Sequence, residues 1–127
     1  MPAKPRLLAV DDDRLLRMSI ELLFEQHGFE VDTAAGVKEA LAALDRDSYG
    51  LVLTDLRLPD GDGLSVARHA REVDPAAKVL LLTGSDGELD EDEAWTAGVI
   101  EILYKPCGLS TLIEKARQII DADESGS

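Results

Sequence analysis

Residues 6–13 read RLLAVDDD, a short apolar run that stops at three consecutive carboxylates. A run this short and this apolar marks a strand buried on both faces, because a half-exposed strand would alternate. Two more runs have the same character, LVLT at residues 51–54 and VLLL at residues 79–82. Strands of this kind occur in parallel sheets covered by helices on either side. Residues 29–33 (FEVDT) alternate instead, with Phe29 and Val31 on one side and Glu30 and Asp32 on the other. They predict a half-exposed edge strand. Residues 99–103 (VIEIL), interrupted by Glu101, predict the opposite edge.

Between the runs lie helix-length segments with apolar residues three and four apart. Leu16, Ile20, Leu23 and Phe24 form one stripe, which Gly28 can close in the left-handed conformation. Val37, Ala40, Leu41 and Leu44 form a second. Val66, Ala67, Ala70 and Val73 form a third, stopped by Asp74-Pro75, and Leu109, Leu112, Ile113, Ala116 and Ile120 form the last. Residues 88–97 are weakly periodic and begin with acidic residues, which suit the positive end of a helix dipole. They predict the least firmly packed helix. Five strand–helix units predict an α/β domain, a doubly wound (flavodoxin-like) five-stranded parallel sheet in the order 2-1-3-4-5 with five helices. The domain is expected over residues 6–120, with residues 1–5 as an N-terminal tail. Residues 121–127 (DADESGS) are expected to be an acidic tail or the start of a linker.

Composition narrows the function. Of 127 residues, 45% are hydrophobic and 31% charged, as in soluble globular domains. Thirteen Lys and Arg against 26 Asp and Glu give a net charge of −13. That balance argues against direct binding to nucleic acid, which draws on basic groups, and against anionic membrane surfaces. No apolar run approaches the roughly 20 residues that span a bilayer. Residues 1–20 hold three aspartates and no secretory signal pattern. Cys107, the only cysteine, fits a reducing compartment. A cytoplasmic location is expected.

In open α/β sheets, ligands bind beyond the carboxyl ends of the strands, where the strand order reverses. Asp11, Asp12 and Asp13 follow the first run, and the third ends in Thr54-Asp55. The fourth is followed by Thr83-Gly84-Ser85 and the fifth by Tyr104-Lys105-Pro106. Carboxylates, a hydroxyl and an ammonium are thus expected to converge. An acidic loop after the first strand would repel phosphate, whereas phosphate-binding loops present backbone N–H groups. Two like charges about 4 Å apart repel by about 4 kcal/mol at an effective dielectric near 20. Three carboxylates with one lysine therefore call for a hard divalent cation. Mg²⁺ fits, because it accepts few carboxylates and leaves positions for water and a phosphoryl oxygen.

Four segments, RLLAVDDD, LVLTDLRLPDGDGL, LLTGS and LYKP, occur in that order at the ends of the first, third, fourth and fifth strands. Together they resemble the receiver domain of bacterial two-component response regulators (chemotaxis-Y-like), over roughly residues 6–120. The resemblance implies a phosphoacceptor module of a phosphorelay that supports its own phosphorylation and dephosphorylation but is not a turnover enzyme. Asp55 would be the phosphoacceptor. Asp12 would ligate Mg²⁺ directly and Asp11 through water, with Asp55 and the backbone carbonyl of Arg57 completing the protein ligands. Lys105 would lie on the phosphoryl oxygens, with Pro106 after a cis peptide bond, and Thr83 would hydrogen-bond the phosphoryl group. Gly84 is small enough to admit that group. The implied partners are a sensor histidine kinase or histidine phosphotransfer protein and a downstream protein reached through residues 88–121. The chain would be a monomer or a phosphorylation-dependent dimer. One departure stands out: the aromatic found three residues before the lysine in many receivers is Ile102 here, and Tyr104 directly precedes Lys105.

Simpler readings accompany these. Asp11 or Asp12 could cap the first helix, and Asp13 suits a cap better than a ligand. Asp60-Gly61-Asp62-Gly63 lacks the later glutamate of a calcium loop and reads as a turn into the third helix. His27 and His69 read as surface or boundary positions and Cys107 as a packed small residue. Trp95 is either boundary packing or part of an output face. Two other functions stay open. An aspartate-nucleophile phosphatase of the haloacid dehalogenase type would use Asp11 and Asp13, but Arg14-Leu15 stand where its Gly-Thr is expected. A pseudo-receiver would bind partners without phosphorylation.

Overall fold

The computed structural model of the chain describes residues 4–84 and 89–125, the side chains of the last three excepted. Ser85 and Glu88, expected in the fourth turn and at the start of the fourth helix, lie outside the described residues. The main strands are β1 (Arg6–Val10), β2 (Glu30–Ala34), β3 (Leu51–Asp55), β6 (Val79–Thr83) and β7 (Val99–Tyr104). They form one parallel sheet in the order β2-β1-β3-β6-β7. A two-residue hairpin, β4 (Arg57–Leu58) and β5 (Gly61–Asp62), is inserted after β3. Counted over the five main strands, the order is the expected 2-1-3-4-5. The helices are α1 (Arg14–Gln26), α2 (Val37–Arg46), α3 (Gly63–Val73), α4 (Glu91–Ala97) and α5 (Leu109–Ser125).

Two cores account for the unbroken apolar runs. Leu8, Val10, Val52, Val79 and Leu81 point to the face covered by α2, α3 and α4. Their neighbours Leu7, Ala9, Leu51, Leu53, Leu80 and Leu82 point to the face covered by α1 and α5. Period-two alternation is present, but both sides of it are buried. Truncating one of the buried leucines to alanine costs about 2–5 kcal/mol. Phe24 of α1 meets Phe29 edge-to-face at 5.0 Å, and Gly28 between them turns the chain at φ +89°. Phe29 lies just before β2 rather than within it, so the strand starts one residue later than its alternation suggests.

Two helix boundaries differ from expectation. Asp90 caps α4 by accepting from Glu93 N–H at 3.2 Å, so the helix starts at Glu91 rather than near residue 88. At the other end α5 runs to Ser125, past the boundary expected at residue 120. The acidic tail contains no helix breaker before Gly126, so Ala122 and Glu124 simply extend the helix.

One long-range contact ties the β3–α3 connection to α2. Gly36, at the helix N-terminus, offers no side-chain cap. Asp60, 23 and 22 positions further on, accepts from Val37 N–H at 2.7 Å and Lys38 N–H at 3.0 Å. A Cβ on Gly36 would stand 2.6 Å from an Asp60 carboxylate oxygen, so the glycine makes room for its own cap. The two backbone donors hold the Asp60 carboxyl below the usual carboxylate range, Lys38 N–H first. A carboxyl depressed in the folded chain stabilises above its unfolded value and loses that contribution as pH falls through the folded one. Asp60→Ala is therefore expected to be less stable than the native chain near pH 6, with the gap closing in acid. Urea unfolding of both proteins from pH 6 down to pH 3 checks this. A gap constant with pH would contradict it.

Candidate functional site

The strand ends bring together most of the expected residues. Asp11 follows β1 and is only 3% exposed. Its N–H donates to Ala34 O at 3.1 Å, and its carboxylate accepts from Asp13 N–H at 2.8 Å. Asp55 ends β3 and is partly buried. Beside it the buried Thr54 hydroxyl donates to the Asp55 carbonyl at 2.9 Å. Gly63 N–H donates to Leu56 O at 2.8 Å, which draws the start of α3 against the Asp55 backbone. Lys105 follows β7, and its ammonium lies 3.0 Å from Asp55 Oδ2 and 3.6 Å from Asp11 Oδ2. Lys105 N–H donates to Thr83 O at 2.6 Å, which fixes the loop after β7 against the end of β6. The Lys105-Pro106 bond is cis, as anticipated.

The electrostatics match the expected need for a cation. Burial raises the Asp11 carboxyl above its ordinary range, and the charges of Asp55 and Asp12 add to the effect, while the Asp13 N–H and Lys105 oppose it. Burial also works against the Lys105 charge, but the hydrogen bond to Asp55 and the fields of Asp11 and Asp55 outweigh it and raise its pKa. One carboxylate oxygen from each of Asp11, Asp12 and Asp55 lies within 4.8 Å of the others. Three hard oxygen donors this close, with the Lys105 ammonium paired to two of the carboxylates, suit a small divalent cation such as Mg²⁺.

Asp13 does not join the cluster. Its carboxylate caps α1, accepting from Leu15 N–H at 3.1 Å and Leu16 N–H at 3.2 Å. The carboxylate that the phosphatase reading assigns to the acid is thus engaged as a helix cap. Thr83 is buried at the end of β6, and Arg57 opens β4 two residues beyond Asp55. A Cβ on Gly84 would have nothing within 4 Å. His27, just past the end of α1, bonds Leu23 O, and His69 on α3 bonds Asp45. Cys107 packs against the α1–α5 core. Trp95 is exposed on α4.

A family model described as the response regulator receiver domain matches residues 7–117. The chain belongs to this family. Its receiver fold is similar to that of a CheY-like receiver domain protein from Methanospirillum hungatei JF-1, with a TM-score of 0.92 at 30% identity over 98% of this chain and 100% of that one. It is also similar to the response regulator TrrA of Thermotoga maritima in complex with Mg²⁺ and BeF, with a TM-score of 0.81 at 30% identity over 91% of this chain and 98% of that one. Among curated relatives, the C4-dicarboxylate transport transcriptional regulatory protein DctD of Rhizobium meliloti is 35% identical over 118 residues, covering 93% of this chain and 26% of DctD. The transcriptional regulatory protein PmrA of Pectobacterium parmentieri is 34% identical over 122 residues, covering 96% of this chain and 55% of PmrA. The chain thus spans about a quarter to about half the length of these relatives. It is a phosphoacceptor receiver of two-component signalling, in a family that binds Mg²⁺ through acidic residues. Among the described residues no helix is long and apolar enough to cross a membrane.

Proposed function

We propose that Asp55 accepts the phosphoryl group, with Mg²⁺ held by Asp11, Asp12, Asp55 and the backbone carbonyl of Arg57. The observation that carries this reading is the Lys105 ammonium, bridging Asp55 and Asp11 beside the carboxylate cluster. When bound, the ion supplies positive charge against the phosphoryl oxygens. Asp55 supplies the nucleophilic oxygen: its O–P bond forms as the N–P bond to a partner's phosphohistidine breaks. Lys105 offsets charge on the transferred oxygens, and the Thr83 hydroxyl donates to the group once it is in place. Open space at Gly84 leaves room for it. The donor is a sensor histidine kinase or a histidine phosphotransfer protein, and the setting is cytoplasmic. The domain is proposed to comprise residues 6–120, signalling as a monomer or phosphorylation-dependent dimer to a protein target through residues 88–121, without turnover of its own substrate or direct contact with nucleic acid.

The test is intact mass after incubation with acetyl phosphate, with and without Mg²⁺. A single Mg²⁺-dependent phosphate adduct is expected. A folded chain that neither binds Mg²⁺ nor gains an adduct would be a pseudo-receiver.

Output through residues 88–121 has a specific route to examine. Tyr104 stands in register with Thr83, and its hydroxyl donates to Glu91 in the first turn of α4. Ile102 occupies the place of the familiar aromatic and packs against the core beneath α4. The tether from the end of β7 to α4 is therefore made by Tyr104. Tyr104→Phe keeps the ring and removes the tether. Amide exchange across residues 91–97 is expected to quicken several-fold, with the yield of phosphate adduct unchanged. Unaltered exchange in α4 would show that the tether does not restrain the helix.

A further inference from the structure

Arg17 lies in α1, on the helix capped by Asp13, and its side chain turns back toward the acidic loop. Its guanidinium Nη1 donates to the main-chain carbonyl of Asp11 at 2.6 Å. Besides its pairing with Lys105, Asp11 is thereby held through its N–H by Ala34, through its carboxylate by Asp13 N–H and through its carbonyl by Arg17. The contacts form a closed circuit. Asp13 caps α1, α1 carries Arg17, Arg17 holds Asp11, and Asp11 accepts from Asp13. Asp12, exposed between the two, is carried on a backbone fixed on both sides.

The choice of acceptor matters. Lys105 reaches this loop by pairing with carboxylate oxygens, the same atoms a cation needs. Arg17 brings a permanent positive charge to the loop through a main-chain oxygen instead. It can offset carboxylate repulsion without taking a carboxylate oxygen.

We infer that Arg17 is a positioning residue for the acidic site, locking the turn at residues 11–13 so that Asp11 and Asp12 face the cation in a preset geometry. The inference rests on the reading of the carboxylate cluster as a Mg²⁺ site. Partners that orient metal ligands from behind commonly contribute about 10–100-fold in metal affinity.

The test is Mg²⁺ titration by calorimetry on the native chain, Arg17→Met, Arg17→Lys and Asp12→Ala. Amide exchange at Asp13 is followed alongside in the metal-free proteins. Arg17→Met is expected to weaken Mg²⁺ binding by about 10-fold or more and to speed exchange at Asp13. Arg17→Lys, with a donor on a long stem, is expected to recover part of both. A purely electrostatic Arg17 predicts the opposite sign, since removing a positive charge tightens cation binding. Arg17→Met binding Mg²⁺ as tightly as the native chain, or more tightly, overturns the inference, even if its melting point is lower. Should the native chain and Asp12→Ala be equally silent to Mg²⁺, the reading of the cluster as a metal site fails, and the role of Arg17 fails with it.

Discussion

Asp55→Asn is expected to take up no phosphate from acetyl phosphate under conditions where the native chain is expected to gain one Mg²⁺-dependent adduct. The substitution keeps the side-chain shape and removes the anionic oxygen, so the group meant to attack phosphorus becomes a neutral amide. Two further losses accompany it. The Lys105 ammonium loses its charged partner at 3.0 Å and keeps only Asp11, at 3.6 Å. The carboxylate cluster falls from three members to two, and with it the attraction for a divalent cation. The fold should persist, because Asp55 is held through its backbone by Thr54 and by strand pairing with β6. The expected result is loss of the adduct with cooperative thermal unfolding retained. An adduct of equal yield on the variant would move the phosphoacceptor to another carboxylate.

Gly63→Ala is expected to damage stability and phosphorylation together. A Cβ at residue 63 would collide with the Asp55 carbonyl oxygen and stand 3.1 Å from both the Asp55 carbonyl carbon and the Thr54 hydroxyl. These are backbone and buried atoms, so no flexible side-chain tip can swing aside. Either α3 retreats, stretching the Gly63 N–H bond to Leu56, or the Asp55 backbone turns away from Lys105 and Asp11. Overpacking of this kind costs about 1–3 kcal/mol, which lowers the melting point by on the order of 5–10 °C. Displacing the nucleophile by even about 1 Å is worth about 100-fold in rate. Thermal melting and the rate of adduct formation measure the two effects separately. A variant with native melting and native rate would mean that the backbone relaxes around the methyl group without cost.

The legible parts of this molecule share one property: the signal and its cause are neighbours in the chain. RLLAV, LVLT and VLLL announce strands between two cores because each successive residue faces one core or the other. Asp11, Asp12, Asp55 and Lys105 lie close together because each stands at the end of a strand, where parallel topology gathers side chains. What stayed hidden depends on chain segments meeting at a distance. Asp60 looked like one residue of a turn, and only folding brings it to the bare amides of Val37 and Lys38. Gly63 shared that turn reading, while its tight approach to the Asp55 carbonyl is a fact of packing. Arg17 sits five residues after Asp12, a spacing that lets a long side chain fold back, but nothing local names the Asp11 carbonyl as its acceptor. The extension of α5 to Ser125 follows from Ala122 and Glu124, which are compatible with continuing a helix into the acidic tail.

At the opposite end of the sheet, Arg6 pairs with Asp32 at 3.0 Å and Asp47 at 3.3 Å and lies over the Tyr49 ring at 5.2 Å. The Tyr49 hydroxyl donates to Asp32 at 2.6 Å, and burial together with that carboxylate pushes the phenol above its ordinary range. Opposite charges and an aromatic ring there fasten β1, β2 and the approach to β3 to one another. The domain therefore has a mechanical polarity, with a clamped base at the strand starts and a tense tip of crowded like charges at the strand ends. Opening that costs less than global unfolding starts where interactions are least satisfied. The clamp holds β1, β2 and the start of β3 to one another independently of the carboxylates at their far ends.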